Sequence, residues 1–246
     1  MKLAVLADVH GNGEALHAVL ADVARRGGAD HLLVLGDIAL LGPDPGEVVE
    51  LLLAWDAIAV FGNADRFLLD TDWRTLEPEG EEERADRALC LWALGRLGQD
   101  AEGWLRALPF ERTLVLAGQR ILLVHGSPRS EREEIRRDTP DDSVREMIAG
   151  VQADLVLYGH THEPLDRVVE GVRLINPGAV GYPQGEEASA RYLLLTWDGE
   201  WQVEFCRVQY DVEATIARLM AAQRPYRLWL VEMLRRAAHV PMTTLE

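Results

Sequence analysis

The chain has 246 residues, with 25 Lys and Arg against 41 Asp and Glu, and its formal net charge is −16. This acidity repels long polyanions and excludes a protein that coats nucleic acid, whereas a small phosphorylated substrate is still allowed because bound divalent cations reverse the local charge. The length suffices for one large domain or two small ones, without disulfides in the core.

Cysteine usage and the absence of long apolar runs indicate the cytoplasm. Cys90 and Cys206 stand far apart and outside any C-x-x-C pattern, so free thiols are expected. The apolar run at the N-terminus is interrupted at Asp8, too soon for a signal peptide. No run approaches the ~20 apolar residues of a membrane span. We therefore expect a cytoplasmic protein without membrane association.

The first part of the chain alternates apolar runs of strand length with helical stripes. Strands are predicted over 2–7, 31–35 and 57–61, and helices through 15–23 and 47–52 lie between them. This βαβαβ order predicts parallel strands that are joined by right-handed crossovers.

The rest of the chain is richer in strands. Residues 64–108 are predicted to be mainly helical, and the charged segment 129–142 to be a solvated loop. Further strands are predicted over 112–116, 120–124, 155–158, 166–169, 172–175, 191–197 and 201–208, and further helices over 81–97, near 104–108, and over 144–151, 211–222 and 225–237. Two sheets packed face to face, with helices outside both, would bury all these strands. We expect one domain over 1–246, with a helical insert at 64–108 and a C-terminal helical extension at 211–246.

Two histidines follow the end of one predicted buried strand. Residues 154–162 read Asp-Leu-Val-Leu-Tyr-Gly-His-Thr-His. If the chain stays extended past Gly159, His160 and His162 point to the same side. Two imidazoles that face one point are metal ligands or an acid/base pair, although a lone H-x-H is equally typical of a polar loop.

Four other predicted strands also end at potential metal ligands. Together the five strand ends carry seven such groups: Asp8, His10, Asp37, Asn63, His125, His160 and His162. Seven oxygen and nitrogen ligands are too many for one ion, and they suit two ions that share one carboxylate. Without thiolates, the set favours Mn, Fe, Co, Ni or Zn over copper. Two such ions about 3.5–4 Å apart clamp an in-line displacement at phosphorus and lower the pKa of a bridging water.

This set of motifs resembles the calcineurin-like metallophosphoesterase family. The motifs are Asp8-x-His10, Gly36-Asp37, Gly62-Asn63-x-Asp65, His125 and Gly159-His160-x-His162, and their order agrees over about 1–180. The flanking motifs at 42–45, 125–128 and 176–178 resemble the small prokaryotic phosphodiesterase branch. The resemblance implies an α/β (α+β) fold, a four-layer αββα sandwich in which helices flank two mixed β-sheets.

The resemblance also implies roles for individual residues. One divalent ion is expected to bind Asp8, His10, Asp37 and His162, and a second Asp37, Asn63, His125 and His160. Asp37 would bridge the ions, and Asn63 would also contact the phosphate. Main-chain groups near Asn12 and Gly126 are expected to add donors to the substrate. The implied reaction is attack of a metal-bridging hydroxide on a small phosphoester, and a phosphodiester is favoured over a monoester.

The third motif departs from the family pattern. Many members have a histidine after the asparagine that assists the leaving group, and this chain has Ala64. General acid help is typically worth about 10²–10⁴-fold, so hydrolysis of esters with poor leaving groups should be weaker. His17, within the first helix, and His31, at the far end of its strand, are interpreted as structural. Asp65 is expected to pair with Arg66 or to cap the next helix.

Several questions stay open at this point. Because of Ala64, the alternative function is a metal-binding scaffold of the same fold that has lost catalysis, for which a eukaryotic sorting-complex subunit of this fold is a precedent. The arginines between Arg218 and Arg236 would then form a partner surface, although a solvated helix face is the simpler interpretation. The substrate, the identity of the metals and homo-oligomer formation are not determined.

Overall fold

The computed structural model describes residues 1–182, 184–185 and 187–240. Its strands are β1 Lys2–Leu6, β2 His31–Leu35, β3 Ile58–Val60, β4 Arg112–Leu116, β5 Gln119–Leu123, β6 Leu155–Leu157, β7 Leu165–Val169, β8 Val172–Asn176, β9 Ala190–Trp197 and β10 Trp201–Val208. Its helices are α1 Gly13–Arg25, α2 Pro45–Ala54, α3 Asn63–Asp70, α4 Glu81–Leu97, α5 Gln99–Arg106, α6 Asp141–Met147, α7 Val212–Ala221 and α8 Arg227–Arg236.

The strands form two mixed sheets of five strands each. The first sheet has the order β10-β9-β1-β2-β3 and the second β4-β5-β6-β8-β7. In the first, β1 pairs in parallel with β2 and antiparallel with β9; in the second, β6 pairs in parallel with both β5 and β8. The predicted pair of mixed sheets is confirmed.

The alternation of apolar residues along β1 places the sheets in layers. Leu3 and Val5 pack between the two sheets with residues such as Leu123 and Leu157, whereas Ala4 and Leu6 pack outward against the helices. Successive side chains of a strand point to opposite faces, so one buried strand serves two cores. A third core packs the second sheet against α6. Helices therefore lie outside both sheets, as the four-layer αββα prediction requires.

Two local segments differ from the predictions. β5 begins at Gln119, one residue before its predicted start, because the hairpin between β4 and β5 turns on Ala117 and Gly118, both with positive φ. Two consecutive left-handed residues match the twist of a tight hairpin. The predicted solvated loop at 129–142 is partly wrong, because Ile135 is buried and its carbonyl accepts a hydrogen bond from the Tyr158 hydroxyl at 3.2 Å.

Two arginines connect the C-terminal segment to helices α1, α2 and α4 and to the loop that follows β2. Arg218 pairs with Asp44, Glu47 and Glu14. Arg224 is completely buried, and its guanidinium donates to the backbone carbonyls of Leu40, Leu41 and Leu89. The interpretation of Arg224 as part of a solvated face or partner surface is therefore wrong, whereas Arg218 is paired with acids but stays partly exposed. The sequence did not show that the segment between α7 and α8 folds back over the loop that follows β2.

We expect Arg224→Met to lower the free energy of unfolding by about 3 kcal/mol or more. The variant keeps most of the side-chain volume but removes three hydrogen bonds to backbone carbonyls, two of them buried, and each buried group left unsatisfied costs about 1–3 kcal/mol. Urea unfolding measures the difference. The exposed Arg235→Met is the matched control and should stay within about 0.5 kcal/mol of the parent. Equal stabilities for the two variants would contradict this account.

No helix in the described ranges combines the length and the apolar character needed to cross a bilayer.

Candidate metal centre

The parallel strands bring the predicted ligands to one edge of each sheet. Asp8 follows β1, Asp37 follows β2 and Asn63 follows β3, and these three strands run parallel side by side. His125 and His160 follow β5 and β6, which are also parallel neighbours. The Gly159 amide donates to the carbonyl of His125 at 2.7 Å, so the second pair of strand ends is joined directly. All seven predicted residues therefore come from the carboxyl ends of strands, where open sheets bind ligands.

Five of the predicted ligands have a left-handed backbone. The positive φ angles belong to Asp8 (55°), His10 (50°), Asp37 (52°), His160 (68°) and His162 (57°). Non-glycine residues rarely adopt this conformation, which costs of order 1–3 kcal/mol each, and such residues cluster at functional sites. The turns aim each side chain back across the strand ends.

The prediction that His160 and His162 extend from β6 and face one point is therefore wrong. Both residues have positive φ, so the chain turns at each of them instead of continuing as a strand. Their side chains go to two different clusters. His162 joins Asp8 and His10, and His160 joins Asp37 and His125. This division agrees with the two ligand sets that the family resemblance implies.

The first cluster consists of Asp8, His10 and His162. One potential ligand atom from each lies within 4.8 Å of those of the other two. The Nε2 atoms of His10 and His162 are 3.2 Å apart, and the His162 Nε2 is 3.4 Å from the Asp8 Oδ1. The Asp8 Oδ1 is buried without a hydrogen-bond partner among the described residues. A cation between these atoms would satisfy it, so the residues present fit a metal ion.

The second cluster consists of Asp37, His125 and His160, again within 4.8 Å of one another. The His125 Nε2 lies 3.5 Å from the Asp37 Oδ1 and 2.9 Å from the Asn63 Oδ1. Asn63, the first residue of α3, thus adds a carbonyl oxygen to this cluster. The donor set is oxygen and imidazole nitrogen, which suits the harder divalent transition metals.

Asp37 lies between the two clusters. Its Oδ1 faces His125, and its Oδ2 is 3.7 Å from the His10 Nε2. The amide of Ala64 donates to the Oδ1 at 2.7 Å and fixes the orientation of the carboxylate. Asp37 is the one residue that reaches ligand groups of both clusters in these contacts, which is the position expected for a shared ligand.

Backbone carbonyls orient two of the imidazoles. The His125 Nδ1 lies 2.6 Å from the carbonyl of Leu35, and the His162 Nδ1 lies 2.6 Å from the carbonyl of Tyr182. An Nδ1–H that donates to a carbonyl leaves the Nε2 lone pair free to face the cluster. Metal-binding histidines are usually held in this way. The contact of Tyr182 with His162 was not predicted, because it uses the backbone carbonyl, which every residue type carries.

The buried charges shift the pKa values of the site in opposite directions. Burial lowers the pKa of His10 to about 4, although Asp37 opposes this effect. Burial also opposes protonation of His125, but the Asp37 carboxylate outweighs burial and raises the pKa of His125 to about 10. Burial raises the pKa of Asp37, yet the neighbouring His125 and His10 hold it well below its ordinary value. In the absence of metal, His125 and Asp37 thus form a buried ion pair.

We expect metal binding at the second cluster to release about one proton from His125 at about pH 7.5. An imidazole binds a metal only in its neutral form, and the raised pKa keeps His125 protonated until the metal competes. Affinity should therefore rise with pH toward the pKa of His125. Calorimetric titration with Mn²⁺ in two buffers of different ionisation enthalpy measures the proton count. A count of zero would contradict the protonated state of His125.

The contacts of Asp65 and Asn12, two residues beside the clusters, show what each side chain does. Asp65 is buried and accepts from the amides of Gly62 and Ile38, so it caps α3 as expected, whereas the alternative pairing with Arg66 is wrong. Asn12 caps α1 by accepting from Ala15, and its amide donates to the carbonyl of Gly181.

The substrate role predicted for Asn12 receives no support from these contacts. Its main-chain amide donates to the carbonyl of Val9, and its side-chain amide also lies 3.3 Å from the Tyr210 hydroxyl. Its donors are thus engaged inside the protein, because the residue serves as a helix cap. Gly126 packs against the backbone of 130–133, and its predicted role as a donor stays a prediction.

A cavity of about 520 Å³ opens above the two clusters, a volume within the usual range of small-molecule sites. Its floor contains His10, Asp37, Asn63, His160 and His162. The walls include two segments that were not predicted as site residues. One is the pair Glu134 and Arg136, and the other comprises Met233, Ala238 and His239 near the C-terminus. Their sequence context carried no signal, because neither segment follows a strand.

Comparison with known proteins agrees with the fold described above. The phosphodiesterase YfcE of Escherichia coli is 28% identical over 195 residues, which cover 75% of this chain and 82% of that protein. A metallophosphoesterase from Sphaerobacter thermophilus superposes with a TM-score of 0.79 at 29% identity, and covers 97% of this chain and 99% of its own. A hypothetical protein from Pyrococcus horikoshii has a TM-score of 0.83 at 25% identity, with 97% and 99% covered. The model of the calcineurin-like phosphoesterase superfamily domain matches residues 1–200, and the chain therefore belongs to this superfamily.

Proposed function

We propose that the protein is a phosphodiesterase that holds two divalent cations and hydrolyses a small phosphodiester. The observation that carries the proposal is the position of Asp37, whose two carboxylate oxygens face one histidine of each cluster, His10 and His125. A carboxylate shared by two such groups suits two-metal hydrolysis of phosphate esters. Membership of the phosphoesterase superfamily and the relative YfcE, itself a phosphodiesterase, support the same class of reaction.

The chain would hold one cation with Asp8, His10, Asp37 and His162, and the other with Asp37, Asn63, His125 and His160. Bound there, Mn, Fe, Co, Ni or Zn would supply Lewis acidity toward the phosphate oxygens and toward water.

The remaining groups position the phosphate and the ligands. The Ala64 amide fixes the orientation of Asp37, and the Leu35 and Tyr182 carbonyls fix two imidazole rings. The positive end of α3 begins at Asn63 and favours an anion at this place. Groups that are held in place in this way are of the preorganised kind that lowers a barrier.

The charges of the cavity walls favour a diester over a monoester. Near neutral pH a phosphate monoester carries about −1.5 to −2 charges, whereas a diester carries one negative charge. The guanidinium of Arg136 is held by the carboxylate of Glu134 at 2.7 and 2.8 Å, so its charge is already neutralised. The formal net charge of −16 on the chain adds no further attraction for the second charge of a monoester.

The proposal is tested by loading the purified protein with Mn²⁺ and comparing bis-p-nitrophenyl phosphate with p-nitrophenyl phosphate. We expect turnover of both, and a higher kcat/KM for the diester. Metal-free protein, prepared with a chelator, should turn over neither compound until Mn²⁺ is restored. A loaded protein that is inactive on both would overturn the proposal.

The second candidate function is a binding scaffold, and the observation in its favour is Ala64. Its methyl group lies at the start of α3, next to Asn63, and offers no proton to a leaving group. A scaffold need not hold two ions per chain. Elemental analysis of the protein as purified therefore separates the two candidates, and two equivalents of metal together with measurable turnover would exclude the scaffold.

A further inference from the structure

One wall of the cavity comes from the C-terminal extension and carries a histidine that no metal cluster uses. His239 lines the same cavity as Asp37, Asn63 and His162. It is exposed, and it belongs to neither candidate ligand cluster. An exposed histidine that lines the same cavity as the candidate metal ligands is suited to acid/base work.

The backbone around His239 is fixed on both sides. The carbonyl of Ala237 accepts from the amide of Gly185 at 2.8 Å, and the carbonyl of Val240 accepts from the Trp229 indole at 2.6 Å. Ala237 and Val240 are themselves buried. His239 therefore sits between two anchored residues, which fixes the place of its backbone beside the cavity.

The wall formed by the C-terminal extension has its own apolar core, and Tyr182 connects this core to the metal centre. Tyr182 packs with Leu219, Trp229, Leu230 and Leu234 of the C-terminal helices. The carbonyl of the same Tyr182 accepts from the His162 Nδ1. The position of the wall and the orientation of a metal ligand thus depend on one residue.

The other ionisable groups that line the cavity in the described ranges are already engaged. Four of them belong to the metal clusters: His10, Asp37, His160 and His162. Glu134 and Arg136 pair with each other. The hydroxyl of Tyr182 is fully buried, and burial raises its pKa far above the ordinary value. Among the described residues that line this cavity, His239 is the ionisable side chain left to act as a proton donor.

We propose that His239 donates a proton to the leaving oxygen, and that the substrate is a phosphodiester of an unactivated alcohol. The inference rests on the proposed function. A water oxygen forms the new bond to phosphorus and releases a proton to solvent. The bond from phosphorus to the alcohol oxygen breaks, its electron pair stays on that oxygen, and the oxygen takes the proton from the His239 imidazolium. The products are a phosphate monoester and the free alcohol, and His239 regains its proton from solvent.

The test compares leaving groups in His239→Asn and in the parent, both loaded with metal. Phenoxide is a much poorer leaving group than p-nitrophenoxide, so proton donation matters more for it. We expect kcat for diphenyl phosphate to fall about 10²-fold or more, and kcat for bis-p-nitrophenyl phosphate less than about threefold. The matched control is His17→Asn, because His17 is exposed on α1 and pairs with Glu47 away from the cavity. This control should not change either rate.

A second readout does not depend on turnover. In the Zn²⁺-loaded protein, addition of dimethyl phosphate should shift the NMR signals of the His239 ring, which are identified by their absence from His239→Asn. Equal losses on both diesters, no loss on either, or a lower metal content in His239→Asn would overturn the inference while the proposed function stands. An unshifted His239 signal would also overturn it. A parent protein without any diesterase activity would instead overturn the proposed function, and this inference with it.

Discussion

Asp37→Asn should lower turnover of bis-p-nitrophenyl phosphate by about 10²–10³-fold or more, the loss that follows removal of one preorganised electrostatic group. Asp37 is the residue whose oxygens face both clusters, at 3.5 Å from the His125 Nε2 and 3.7 Å from the His10 Nε2. An amide keeps the shape and an acceptor for the Ala64 amide, but it lacks the charge that two cations share. Both candidate sites should therefore weaken together, whereas loss of an outer ligand should weaken one.

The measurement pairs kinetics with elemental analysis. Asp37→Asn should retain fewer than two ions per chain after dialysis, and the parent two. Asp100→Asn, an exposed acid in the first turn of α5, is the matched control and should behave like the parent. Unchanged turnover in Asp37→Asn would remove Asp37 from the metal centre and with it the central argument for two-metal hydrolysis. Loss of activity with both ions still bound would confine the role of Asp37 to catalysis.

The second large effect is expected from a single methyl group at Gly62. A Cβ built on Gly62 would lie 2.8 Å from the Asp37 Cγ, and closer still to its Oδ1 and backbone nitrogen. The backbone of Gly62 is extended, with φ of −107°, so alanine would fit the conformation. The obstacle is space alone. The methyl would have to displace Asp37, and a misplacement of about 1 Å can cost about 10²-fold in rate.

Gly62→Ala should therefore lose metal and activity, and overpacking should cost about 1–3 kcal/mol of stability. The control is Gly95→Ala in α4, where no described atom lies within 4 Å of the added Cβ. Alanine in a helix interior should stabilise the control by about 0.5–1 kcal/mol relative to glycine. Metal content, turnover and urea unfolding of both variants are measured together. A fully loaded and active Gly62→Ala would show that Asp37 can occupy another position at no cost.

The sequence determined the sheets and the places where ligands occur. The strands predicted over 31–35, an apolar run that ends at Gly36, and over 201–208, which follows Gly199, lie at the observed residues. Because parallel strands end at a common edge, ligands after β1, β2 and β3 had to lie near one another. Both results follow from the residue types and from their spacing along the chain.

The tertiary structure alone decided how the ligands divide and what surrounds them. His160 and His162 go to different clusters because both adopt left-handed backbone angles, and a strand-period pattern does not encode that choice. Arg224 is buried because the segment between α7 and α8 packs over the loop after β2, and residue type alone does not show that an arginine will be covered. His239 lines the cavity, which residue type alone does not show either. Contacts between residues about 200 positions apart depend on how the layers pack, so local sequence period could not predict them.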